Sequence, residues 1–145
     1  MIHSNPKQIT ERVRAVIIDD NRILLINRIK KDQTYWVVPG GKIELGESKE
    51  EAIKRECMEE LGVTVHVKEL FMERISDKPE TIGHKEFFYL CDIVDGEIGT
   101  GQGPEFNQSG FYEGEHKIVW VDLKKILDID LKPEEVKEKI IKIFL

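Results

Sequence analysis

Gly41-Lys42-Ile43-Glu44-Leu45-Gly46-Glu47-Ser48-Lys49-Glu50-Glu51-Ala52-Ile53-Lys54-Arg55-Glu56-Cys57-Met58-Glu59-Glu60-Leu61-Gly62-Val63 is the stretch that decides how this chain reads. Ser48 followed three residues later by Glu51 makes a capping box and predicts a helix over about Lys49 to Leu61, with Gly62 as its stop. Ile53, Cys57 and Leu61 fall at i, i+4 and i+8, an apolar stripe that should pack on a sheet. Glu56, Glu59 and Glu60 share a neighbouring face, expected to look into a cleft. Ala52 falls on that acidic side, where a small side chain leaves room for the preceding loop. Like charges at this spacing cost about 0.2–0.5 kcal/mol per pair, so a helix that keeps them has a use for them. A hard divalent cation, which takes oxygen ligands and brings phosphate with it, is the use that fits. Glu50 and Glu51, outside that spacing, read as a solvated face.

Before this stretch, Met1 to Thr10 is a loose lead-in, and Arg12 to Asp19 and Arg22 to Ile29 read as strands around an Asp19-Asp20-Asn21 turn. Lys30 to Thr34 reads as a polar loop and Tyr35 to Val38 as a short strand ended by Pro39-Gly40-Gly41, where glycine lets the backbone approach a ligand. Beyond the helix, Val63 to Ser76 and His84 to Val94 are two longer strands around an Asp77-Lys78-Pro79 loop. Asp95 to Glu115 is Gly-rich and polar, and a loop this long inside a compact domain is commonly functional. Ile118 to Val121 is a strand and Leu123 to Leu127 a short helical turn. Pro133 opens a last helix with Val136, Ile140, Ile141 and Phe144 as its buried face. Mixed strands, a central helix, strands and a terminal helix suit an α/β/α sandwich.

The length of 145 residues suits one domain, 1–145, with a real core. The net charge of −6 argues against duplex nucleic acid as the main partner, while leaving nucleotides open, because a bound cation supplies positive charge. No apolar run of about 18 residues and no basic-then-apolar leader occurs, which predicts a cytoplasmic protein without a membrane partner. Cys57 and Cys91 lack C-x-x-C spacing and read as buried free thiols. His3, His66, His84 and His116 have no metal-like spacing and are assigned to the surface. Arg28 ends the second strand, either as a bidentate phosphate ligand or as a surface arginine. Arg12 and Arg14 alternate with Val13 and Ala15 and are candidates to point into the same cleft. Trp36 fits core packing beside Pro39 better than stacking on a base.

The spacing Gly41-x5-Glu47-x7-Arg55-Glu56-Cys57-x-Glu59-Glu60-x-Gly62-Val63 resembles the Nudix box, the signature of the Nudix (MutT-type) pyrophosphohydrolases. Its seven fixed charged and glycine positions would match by chance on the order of once in 10^9 windows. Cys57 stands where the box usually has an aliphatic residue, and cysteine packs as a small hydrophobe. The resemblance implies the α/β Nudix fold, an α/β/α sandwich with a mixed sheet. It implies hydrolysis of the pyrophosphate bond of a nucleoside diphosphate linked to another moiety, dependent on Mg²⁺ or Mn²⁺. Glu56, Glu59, Glu60 and the backbone carbonyl of Gly40 would hold the metal. Arg55 would fix a box carboxylate, Glu47 would brace the loop or bind a further metal through water, and Gly41 and Arg28 would meet the substrate. The water-activating base in this family is sometimes a box glutamate, here Glu56, and sometimes a glutamate from a later loop. Among Glu105, Glu113 and Glu115 the choice is Glu115, just before the strand that holds Trp120. The expected partner is a small nucleotide, with a free nucleotide or nucleotide sugar favoured by the lack of a basic extension, and a homodimer is compatible with the reading. The rival is a non-catalytic nucleotide-sensing module, and such modules usually lose the box carboxylates that this chain keeps.

Overall fold

A computed structural model of the protein describes residues 10–76, 79, 82–99 and 115–145, with Glu115 described through its backbone alone. Its strands are β1 (Glu11–Asp19), β2 (Arg22–Lys30), β3 (Gln33–Val37), β4 (Gly40–Lys42), β5 (Val63–Ile75), β6 (Lys85–Gly96), β7 (Glu115–Asp122) and β8 (Leu131–Lys132). The helices are α1 (Lys49–Leu61) and α2 (Glu134–Phe144), with a 3₁₀ turn over Leu123–Asp128. The strands form one mixed sheet in the order β5-β6-β1-β2-β3-β8, with β4 added on β1 and β7 on β2. Parallel pairing joins β1 to β6 and β3 to β8, and the remaining pairs are antiparallel.

Two apolar layers flank this sheet and make it an α/β/α sandwich. On one side Ala52, Ile53, Cys57 and Leu61 of α1 pack on Val13, Ala15 and Ile17 of β1 and on Val63, Val65 and Cys91. On the other side Val136 and Ile140 of α2 pack on Val16, Ile23, Leu25 and Phe88. The alternation along β1 therefore sends odd positions to α1 and Val16 to α2, as a period of two requires. Each buried Ile or Leu contributes about 1.5–3 kcal/mol, which is what holds the acidic helix to the sheet. Among the described residues no helix is long and apolar enough to cross a membrane.

The capping box is formed: Ser48 Oγ accepts from the Glu51 amide at 3.1 Å, and Glu51 Oε1 accepts from the Ser48 amide at 3.1 Å. Gly62 closes α1 at φ 81°, a left-handed conformation that glycine adopts without strain. The β1–β2 turn is formed by Asp20 and Asn21 at φ 52° and 58°, the short polar residues that tolerate this region.

Several boundaries differ from the sequence expectation. The polar loop expected at Lys30 to Thr34 shrinks to Lys31-Asp32, because Ile29 and Lys30 pair with Thr34 and Gln33 through backbone groups that polarity does not disturb. Gly40 and Gly41 belong to a short strand paired with β1. The strand expected at Ile118 starts at Glu115, and β8, two residues long, is too short to leave a periodic signal. On α2, Ile141 is only partly buried, and Phe144 is 37% exposed although its ring stacks on Phe71. The lead-in through residue 9 and most of the Gly-rich loop, residues 100–114, lie outside the described residues.

Candidate functional site

The end of β1 distant from its turn is where the sheet opens. β1 and β2 pair only at Ile18–Ile23 and Asp19–Arg22, and beyond that they part. Pro39 and β4 enter the gap, with the Ala15 amide donating to the Pro39 carbonyl at 2.8 Å. Gly40 is forced here: at φ 151°, a Cβ would lie 2.0 Å from the Val13 carbonyl oxygen.

Arg55 organises the loop that leads from β4 into α1. Its Nε donates to Glu47 Oε2 at 2.7 Å and its Nη2 to Glu47 Oε1 at 3.0 Å, a two-pronged pair. Nη2 also reaches the Lys42 carbonyl at 3.0 Å, and Nη1 reaches Glu56 Oε1 at 3.0 Å and Glu59 Oε2 at 3.3 Å. Glu47 lies eight residues before Arg55, too far to be a helix neighbour, so the folded loop makes this contact. The hydrogen bond from Arg55 holds the Glu47 carboxyl below its usual pKa, and Glu47 in turn pushes the Arg55 pKa further up.

The three box carboxylates are not equivalent. Glu60 is 1% exposed and its Oε1 accepts from the Gly40 amide at 2.8 Å. The Glu56 side chain is in hydrogen-bond contact with Glu60, and burial is the largest cause that pushes its pKa up. Glu59 is the most open, with 40% side-chain exposure, and leans on Arg55. Gly41 lies directly beneath Glu56, where a Cβ would come within 2.5 Å of Oε1. Two carboxyl groups in contact need a proton or a cation between them, and an all-oxygen donor set suits a hard divalent ion. As the side chains stand, no three acidic, His or Cys groups converge as a metal cage among the described residues. The fit is therefore to an ion held by Glu56 and Glu60 and completed by water and phosphate, the usual way Mg²⁺ is bound.

Around the end of β1, on the α2 side, lies a cavity of about 480 Å³ with Arg12, Arg14, Val38, Arg74, Glu86 and Glu135 in its wall. Glu86 is 8% exposed, and both its oxygens are used: Arg14 Nε donates to Oε2 at 3.3 Å, and Arg74 Nη1 donates to Oε1. Arg74 Nε continues to Glu135 at 3.0 Å, tying β1, β6, β5 and α2 together. Arg12 lines the same cavity. Burial and then the Arg14 charge pull its pKa down, while Glu86 and Glu56 pull it up and Arg28 lowers it again.

The sequence-predicted residues are distributed as follows. Gly40, Gly41, Glu47, Arg55, Glu56, Glu59 and Glu60 come together at one place. Arg28 is partly buried, with its Nε shielded from solvent, in register with Tyr35 and His116 on the flanking strands. Glu115 enters through its backbone, opposite Ile29, and Glu105 and Glu113 lie outside the described residues. Ala52 does not open space for the loop: it is 0% exposed in the core, because the 52–56–60 stripe also turns inward. His84 and His116 are not surface groups. His84 is half-buried and its Nδ1 bonds Thr10 Oγ1 at 2.8 Å, and both ring nitrogens of His116 are shielded from solvent. His66 is exposed, and Trp36 packs against the α2-side core. Glu86, Arg74 and Glu135 were missed. A lone Glu86 in the otherwise apolar Glu86-Phe87-Phe88-Tyr89-Leu90 run was the available signal.

Comparison with known proteins bears on this arrangement. The family model described as NUDIX domain matches residues 9–142. An ADP-ribose pyrophosphatase of Methanocaldococcus jannaschii is 37% identical over 93 residues, 61% of this chain and 54% of that protein. The chain thus spans about half the length of that relative. A CTP pyrophosphohydrolase of Escherichia coli is 30% identical over 128 residues, 87% of this chain and 85% of the relative. The solution structure of the E. coli ORF135 protein superposes with a TM-score of 0.65 at 27% identity, covering 92% of this chain and 89% of that one. With the family model covering nearly all of the chain and the box residues assembled at the opening of the sheet, the chain belongs to the Nudix family.

Proposed function

We propose that the protein hydrolyses the pyrophosphate bond of a nucleoside diphosphate linked to another moiety, with Mg²⁺ or Mn²⁺ as cofactor. One observation carries this reading: the buried Glu60 and the partly buried Glu56 form a contacting carboxylate pair, held over Gly40 and Gly41 and braced by Arg55 and Glu47. A bound divalent ion would neutralise phosphate charge and lower the pKa of a water. Glu56 and Glu60 would hold that ion, with the Gly40 carbonyl and Glu59 as further oxygen donors. Arg55 keeps Glu56 in place and prevents its free rotation. Arg28 would take a phosphate oxygen, and Gly41 leaves the approach to Glu56 open because it has no side chain. Glu115, or Glu56 itself, would accept the proton of the attacking water.

A free nucleotide or nucleotide sugar is the proposed substrate class, and the cytoplasm the proposed site of action. The names of the two relatives, for ADP-ribose and CTP, point to such molecules. The test is a hydrolysis screen over nucleoside triphosphates, ADP-ribose and dinucleoside polyphosphates, with phosphatase coupling so that either product is seen. Turnover that needs Mg²⁺ or Mn²⁺ and stops in chelator supports the reading. Full activity in chelator, or no turnover of any of these with either metal, refutes it.

A further inference from the structure

Arg74, Glu86 and Arg12 stand in one row across β5, β6 and β1, with Glu86 in the middle. Glu86 shares a face of β6 with Phe88, which packs in the α2-side core, and so it looks into the cavity on that side. A carboxylate that is 8% exposed is tolerated there because Arg14 and Arg74 donate to its two oxygens. The chain of charges continues from Arg74 to Glu135. Both guanidinium groups are thus turned toward carboxylates of the protein, and their charge is cancelled where it arises. Among the described residues of the wall, Arg12, Arg14, Arg74 and Lys132 face as many carboxylates, of which Glu86 is the buried one. Val37, Val38 and Pro133 add an apolar strip. A volume of about 480 Å³ is of the size that holds a small organic group. With its charges matched, such a cavity suits an uncharged group that carries hydroxyls or amides. An anion entering it would give up water to a wall whose positive charge is already answered. Arg14 ties this wall to the acidic helix, because it lies in register with Gly40, whose amide donates to Glu60.

We propose that Glu86 determines specificity in this cavity: by holding Arg14 and Arg74 to itself it makes the cavity a site for an uncharged nucleoside or sugar group and excludes groups that bear an additional phosphate or carboxylate. This rests on the hydrolase reading above for the nucleotide character of the ligand, though not for the geometry of the wall. Replacing Glu86 by glutamine keeps the size of the side chain and removes one negative charge from between two arginines. The wall then carries positive charge that an anionic ligand can answer in place of Glu86. The same substitution at Glu135 does this more weakly, because that carboxylate meets Arg74 from the outside, with 52% of its side chain exposed.

The experiment is binding calorimetry at low ionic strength in Mg²⁺, with ligand pairs that hold no anhydride and so cannot turn over: adenosine and cytidine 5′-monophosphates against their 3′,5′-bisphosphates. The members of a pair differ only by a phosphate on the ribose, so the ratio of their affinities reads how the cavity treats an added anion. Wild type should favour the monophosphate by about tenfold or more. Glu86→Gln should shift the ratio at least about tenfold toward the bisphosphate, equivalent to about 1.4 kcal/mol. Glu135→Gln should shift it the same way by about threefold or more, and Glu86→Asp, which keeps the charge, should stay within about twofold of wild type. Adding Arg14→Gln to Glu86→Gln restores the balance and should return the ratio toward wild type, whereas a merely structural role for Glu86 predicts further damage. The distant Lys142→Ala should match wild type. Thermal melts establish folding first, and Glu135→Gln decides the matter if Glu86→Gln does not fold. A ratio within about twofold of wild type in the folded glutamine variants overturns the proposal. So does a ratio that stays switched in the double variant, or a wild type that prefers the bisphosphates or binds neither pair. If the ratio switches while the wild type hydrolyses no nucleotide, the selection by Glu86 stands and the hydrolase reading falls. If hydrolysis is strong and the ratio is the same in every variant, the selection falls and the hydrolase reading stands.

Discussion

Replacing Gly41 by alanine tests whether the geometry of Glu56, rather than its mere presence, carries the chemistry. The new Cβ would sit 2.5 Å from Glu56 Oε1, 2.7 Å from Cδ and 2.9 Å from Oε2. Ordinary contact begins at 3.4 Å, so the carboxylate must retreat by about 0.9 Å, the difference of 3.4 and 2.5. Glu56 is poorly free to do so, being bonded to Arg55 and in contact with Glu60. A misplacement of about 1 Å costs on the order of 10²-fold in rate, equivalent to about 2.7 kcal/mol of barrier. Overpacking costs about 1–3 kcal/mol of stability, which a folded domain of this size can absorb. The assay is steady-state hydrolysis of whichever nucleotide the screen identifies, at saturating Mg²⁺, alongside a thermal melt. A shortened partner supplies the control: in Gly41→Ala with Glu56→Asp, the alanine should cost less than it does in wild type, because the carboxylate has already withdrawn. A folded Gly41→Ala variant with kcat within about twofold of wild type would refute the argument that Glu56 must stay where it is.

Three further outcomes are expected. The Glu135 carboxyl is held below its usual pKa by its own backbone N–H at the start of α2 and then by Arg74, so its stabilisation is present above the ordinary carboxyl range and lost as pH falls through the depressed value. With 52% of that side chain exposed, Glu135→Gln should cost under about 1 kcal/mol at neutral pH, a fall of about 2–4 °C in Tm at most, and the gap to wild type should close in acid melts. Cys57 and Cys91 are 0% and 2% exposed, and burial pushes the Cys91 thiol up to about 12, so an aromatic disulfide reagent should label neither in the native protein and both in denaturant; rapid native labelling that tracks loss of activity would count against a packing role. Glu115→Gln should lower kcat by roughly 10²–10⁴-fold with little change in KM, whereas Glu105→Gln and Glu113→Gln do much less. Near-normal Glu115→Gln beside an inactive Glu56→Gln would assign the base to the box.

Local features carried much of this protein in its sequence. The capping box, the Gly62 stop and the 53–57–61 stripe fix α1 because each is an interaction within about a turn of chain. The Asp20-Asn21 hairpin and the Pro133 start of α2 are legible for the same reason. The box spacing likewise located Glu56, Glu59, Glu60, Arg55 and Glu47, since their order on one short segment is enough to bring them together once it folds. Periodicity even contained the burial of Glu60, which sits at i+7 from Ile53 and i+3 from Cys57 on the core face, although its charge argued otherwise.

Tertiary structure alone decided what depends on distant segments. That Glu60 can be buried follows from the Gly40 amide, brought to it by β4 entering the gap between β1 and β2. That Arg14 supports the cavity wall follows from Glu86, 72 residues beyond it, which Arg14 and Arg74 share between them. His84 is drawn inward by Thr10, 74 residues away. No local pattern encodes such partners, because the energy of a buried charge is set by whatever group the folded sheet places against it.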